Sequence, residues 1–135
     1  MTANIFIFIT VLAWGIGAFL GKTVLQHSSS IYGYLLEALG TLSVALLVAL
    51  FYKNEVVSIT KNFSLNGYLF GILWGIGTVT FIIALKLKPS SFVVPLTALY
   101  PVITVILSVL FLKEEITLKI TIGIIFAISA TVLLA

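Results

Sequence analysis

The sequence predicts an all-α membrane protein, a bundle of five transmembrane helices, and three observations carry that prediction. Of the 135 residues, 61% are hydrophobic and only 8% charged, with a mean hydropathy of +1.31, more apolar surface than a soluble domain could hide. The apolar residues fall into stretches near 5–25, 31–52, 66–87, 92–112 and 118–135, each close to the roughly 20 residues that a helix needs to cross about 30 Å of hydrocarbon. The polar connections, Gln26 to Ser30, Lys53 to Leu65, Lys86 to Ser91 and Lys113 to Thr117, are short. Residues 1–135 therefore read as one transmembrane domain with no extramembrane portion to carry an enzyme site, and the activity is expected inside the bilayer.

The first span has neither a basic leading segment nor an A-x-A cleavage pattern, so it reads as a true helix and not as a signal peptide. It contains Ala13-Trp14-Gly15-Ile16-Gly17, which returns as Leu73-Trp74-Gly75-Ile76-Gly77 sixty residues later in the third span; Ser29-Ser30 and Ser90-Ser91 follow the two copies. Two readings stand: chance, since Trp and Gly are common in membrane helices, or an old duplication of a two-helix hairpin, as in transporters built from internal repeats. Trp14 and Trp74 lie too deep for an interfacial aromatic belt. Each either fills the core or, with its counterpart, faces a central cavity and a substrate.

The second span holds the one charge well inside a helix. Glu37 is about 9 Å past Ile31 at 1.5 Å per residue, where an unpaired charge costs about 3 kcal/mol on insertion scales. It is expected either to pair with Lys22 at the end of the first span or to line a wet cavity where it takes up and releases a proton; the two roles are compatible.

Small residues at four-residue spacing mark where helices are expected to meet closely, because lipid offers no hydrophobic drive between spans. Gly67, Gly71 and Gly75 form such a row on the third span, and Ala13, Gly17 and Gly21 another on the first. Gly123, Ala127 and Thr131 form a third on the last span, where contact with a second subunit is as good a reading as packing within the chain.

The fourth span carries Pro95 and Pro101, which interrupt the hydrogen-bond ladder and kink the helix, suiting it to a cavity wall. Thr97 and Tyr100 beside these breaks are candidates for facing a ligand, whereas Thr104 and Ser108 are expected to bond back to their own helix. Lys113-Glu114-Glu115 reads as a cap and interfacial charge cluster, and His27 as solvated.

Several function classes fall away. The chain has no cysteine, which removes thiolate chemistry and Cys-type metal sites, and no metal or cofactor is expected. Its seven lysines, giving a net charge of +3, are scattered through loops and helix ends, against nucleic-acid binding. No GxxxxGK[ST] motif is present, so energy would come from an ion gradient. With five spans, Lys53, Lys61, Lys113 and Lys119 share one side and Lys22, Lys86 and Lys88 the other. That slight bias leaves insertion in both orientations accessible.

The stretch Pro95-Leu96-Thr97-Ala98-Leu99-Tyr100-Pro101, continuing through Ser108 to Glu115 and on to Gly123 and Ala127, resembles the closing helices of an EamA-type domain of the drug/metabolite transporter superfamily. Ala13-Trp14-Gly15 with Lys22 resembles its opening helix. The resemblance implies a secondary transporter for small organic metabolites or drugs in the cytoplasmic membrane. Most members carry two such domains, inserted with opposite orientations; a five-helix, half-size member would recover that arrangement as a homodimer, antiparallel if it acts alone, or with a related partner subunit. The alternative function is a small membrane subunit of a carrier or flippase for a lipid-linked substrate. Membrane lipids and a small-molecule substrate are the expected partners.

Overall fold

The structure is a computed structural model and describes residues 2–134. Among the described residues seven α-helices follow one another: α1 (Thr2–His27), α2 (Ser30–Phe51), α3 (Lys53–Lys61), α4 (Leu65–Leu87), α5 (Ser90–Thr97), α6 (Tyr100–Leu107) and, after a π-helical segment at Ser108–Leu112, α7 (Leu118–Leu134). Hydroxyl side chains start three of them. Ser29 Oγ accepts from the Tyr32 N–H (3.2 Å), Ser64 Oγ from Gly67 N–H (3.2 Å) and Thr117 Oγ1 from Ile120 N–H (3.3 Å), each satisfying a donor that the first turn leaves open. Four stretches, Ala3–His27, Ser30–Phe51, Leu65–Leu87 and Ser90–Leu112, are long and apolar enough to cross a membrane, and Leu118–Leu133 is a shorter apolar helix. Large side chains along them, such as Phe6, Phe19, Leu50 and Phe70, are mostly exposed, as a lipid-facing surface requires.

The segment between the second and third spans, expected as a polar connection, is instead largely the helix α3. Its sequence explains this: Val56, Val57 and Ile59 give it an apolar side, Glu55 stands in the first turn and Lys61 in the last, each sign of charge at the end of the macrodipole that favours it.

The chain divides into two compact units, residues 1–87 and 88–135. In the first, α4 packs against both α1 and α2, and α3 against α2. Its buried side chains are Leu25, Ile82 and Leu85, all near one end. There α2 offers Gly33, where an added Cβ would lie 2.9 Å from Leu25 Cδ2 and 3.7 Å from Ile82 Cγ2, so three helices converge at a point where any side chain would have to displace that of Leu25. At the same end Lys22 Nζ donates to the Leu85 carbonyl and Lys86 Nζ to the Leu25 carbonyl, each at 2.6 Å. Each ammonium thus bonds a carbonyl near the negative end of the other helix.

The acceptors Leu25 and Leu85 stand at the sixty-residue offset of the Trp-Gly-Ile-Gly motif, and so do the helix ends His27 and Leu87 and the next starts Ser30 and Ser90. The matched tryptophans touch, with ring centroids 5.6 Å apart and planes at 55°. α1 and α4 therefore run parallel, with Trp14 on Trp74 and the two acceptor carbonyls at matching positions, although the lysines that reach them are not at matching positions.

In the second unit, α5 packs on α7, and Val93 and Thr131 are its buried side chains. The fourth span is broken as its prolines require. Pro101 has no N–H to give to the carbonyl of Thr97, four residues back, and α5 ends at Thr97. Pro95 stands inside α5 and likewise has no N–H to give to the carbonyl of Ser91, four residues back. Lys113 closes the π segment in the left-handed conformation, φ 56°, with its N–H bonded to the Ser108 carbonyl, in keeping with its expected capping role.

Candidate functional site

α4 presents two different faces. Gly67, Gly71 and Gly75 form one and Phe70 and Trp74 the other, because a four-residue step returns to nearly the same side of a helix. On the aromatic face Trp74 meets Trp14 of α1, and Phe70 meets Trp74 edge-on at 6.1 Å.

The glycine face stays open. Among the described residues only the Tyr34 hydroxyl, 4.0 Å from a Cβ built on Gly75, approaches that glycine; nothing lies within 4 Å at Gly71, and Gly67 meets only Ser64 just before its own helix. The result is a groove of about 490 Å³ between α2 and α4, walled by Tyr34, Ile72, Ile76 and Val79, floored by the three glycines and ended by Tyr68. The groove is shallow and wide open along its length, with an apolar lining and few polar groups. The glycines expected as a helix contact are thus the floor of a space. Gly17 and Gly21 likewise meet no atom within 4 Å among the described residues. What closes α1 on α4 is the indole pair and the two lysine–carbonyl bonds.

Tyr34 precedes Glu37 by about one turn of α2, and its reach to Gly75 sets that part of α2 at a depth similar to the Trp74 turn of α4. Glu37 is exposed; its Oε1 accepts from Thr41 Oγ1 at 2.9 Å, one turn on. This bond leaves the second carboxylate oxygen able to accept from elsewhere. Lys22, expected as the partner of Glu37, directs its ammonium to the Leu85 carbonyl.

The remaining candidates belong to the second unit. Thr97 Oγ1 donates back to its own helix, to the carbonyls of Val93 (2.9 Å) and Val94 (3.0 Å), the behaviour expected of Thr104, whose hydroxyl bonds the Tyr100 carbonyl at 3.4 Å. Tyr100 is exposed at the start of α6. On α7, Gly123 and Ala127 are exposed, whereas Thr131 is buried and donates to the Ala127 carbonyl at 2.8 Å.

Sequence reasoning passed over Tyr34 and Tyr68. A phenol three residues before the only deep carboxylate was a usable signal for the first; for the second, no signal pointed to the groove before α4 was seen to be open.

The family model for EamA-like transporters matches residues 1–135, the whole sequence. An uncharacterised protein of Methanocaldococcus jannaschii is 33% identical over 134 residues, covering 99% of this chain and 96% of its own length. No solved structure matches the chain. The repeated Trp-Gly helices, the proline-broken fourth span and a match over every span together show that this multi-pass membrane protein belongs to the EamA-like transporter family, within the drug/metabolite transporter superfamily.

Proposed function

We propose that the chain is a secondary transporter of the cell membrane, moving small organic metabolites or drugs, with the α2–α4 groove as its substrate site. The observation that carries this reading is the open glycine face of α4: a space of about 490 Å³ inside a membrane span, where a flat or slender solute can approach backbone atoms closely while the Tyr34 hydroxyl offers one directional hydrogen bond. Trp14 and Trp74, in ring contact with each other, lie along the adjoining face of α4. Glu37, one turn from Tyr34, is the proton-coupling group, its Thr41 contact holding the carboxylate in place. On this reading two five-span units act together, as an antiparallel homodimer in contact through Gly123 and Ala127.

The test is uptake into proteoliposomes across metabolite classes, with Gly71→Leu as the decisive variant. A leucine there enters space that no protein atom occupies, so the variant should fold as the wild type does and lose transport. A folded Gly71→Leu protein with full uptake would reject the groove. For assembly, the cysteine-free sequence lets single cysteines be placed in the α1–α2 and α2–α4 connections without background. Labelling from both membrane faces is expected, and a uniform orientation would reject the antiparallel pair.

A further inference from the structure

A second groove lies at the elbow where α2 gives way to α3. Leu46, Ala49 and Leu50 of α2 and Lys53, Val56 and Val57 of α3 enclose about 550 Å³. The leucines and valines are 41–67% exposed, so apolar walls stand open beside one ammonium. We infer that this elbow binds an anionic phospholipid, with an acyl chain along Leu46, Leu50, Val56 and Val57 and the headgroup phosphate on Lys53.

Three features point to that occupant. The elbow sits where an apolar span ends, and aromatic side chains that favour the membrane interface flank α3 at both ends: Phe51 and Tyr52 are exposed at the bend, and Phe63 packs on Tyr68 at 5.8 Å beyond its far end, where α4 begins. α3 is amphipathic and carries its apolar side unburied, the pattern of a helix lying in the interfacial plane. Its charges are also sorted. At 100° per residue Lys53, Val56 and Val57 share one face while Glu55 falls on the opposite one, so the cation borders the groove and the carboxylate faces away from it. A long apolar slot with a single cation at its rim complements an acyl chain and a phosphate together. It suits a zwitterionic lipid less well, because that headgroup adds a cation of its own.

Native mass spectrometry of the full chain released from detergent tests this, using phosphatidylglycerol and phosphatidylcholine of identical acyl chains. One interfacial lysine is worth about fivefold in retention of an anionic lipid. Wild type should hold phosphatidylglycerol about that much more tightly; Lys53→Gln should remove most of the preference, and Lys61→Gln, whose lysine does not line the groove, should keep it. Equal retention of the two lipids by wild type, or an equal loss in both variants, would overturn the site in favour of diffuse surface charge. A dimer that dissociates in Leu50→Asn, with lipid retention intact, would overturn it in favour of a second copy of the chain.

Discussion

The two ends of α4 are built on opposite principles. Towards its C-terminus, Ile82 and Leu85 are buried, α2 comes close enough that a side chain at Gly33 would meet Leu25, and two ammonium–carbonyl bonds bind α4 to α1. Towards its N-terminus, three glycines in the spacing usually associated with tight helix contact meet almost nothing and border a groove. Close approach between these helices is thus set by interlocking side chains and by hydrogen bonds to the carbonyls of their last turns. Glycine only permits it. Where partner side chains are missing, the same spacing leaves a hollow.

If the closed end holds the unit together, Leu85→Ala should have the largest effect. It empties the most buried site, 1% exposed, and should cost about 3 kcal/mol in a detergent unfolding titration. The equivalent change at half-exposed Ile72 should cost far less. Equal losses would erase the distinction between the ends. Next comes Gly33→Leu, which drives a side chain into Leu25 and Ile82 and should cost about 2 kcal/mol by overpacking, while Gly71→Leu at the open end leaves stability unchanged. Lys86→Met removes one interhelical bond to the Leu25 carbonyl and should cost about 1 kcal/mol, read as a lowered unfolding midpoint. No shift would mean that apolar packing alone closes the end. The smallest effect on stability belongs to Glu37→Gln, which keeps the Thr41 bond; its consequence should be loss of pH dependence in reconstituted uptake, and a preserved pH profile would remove Glu37 from coupling.

Much of this architecture was legible in the residues. Hydrophobic runs located the spans because each must satisfy its backbone within itself, and Pro101 located the break because the lost N–H belongs to a fixed partner four residues back. The repeated Trp-Gly-Ile-Gly motif marked two helices as alike, and the structure sets their tryptophans in contact. What could not be read was direction: spacing shows that Gly67, Gly71 and Gly75 share a face, but only the neighbours decide whether that face is filled. The same limit applies to Thr97, whose two available carbonyls lie on its own helix, and to Lys22, for which sequence offered a carboxylate and the fold supplied a carbonyl. α3 was hidden because nine residues with three charges resemble a loop until their alternation is plotted on a helix.

The indole pair also makes the protein its own optical gauge. Trp14 and Trp74 are the only tryptophans in the sequence, and their rings lie 5.6 Å apart at a tilt of 55°. Electronic transitions of nearly equal energy at that distance mix and give a paired positive and negative band in ultraviolet circular dichroism, with a coupling that falls as the inverse cube of the separation. No dye or mutation is needed to follow α1 against α4: any movement that parts the two helices extinguishes the couplet, and any that leaves them together preserves it.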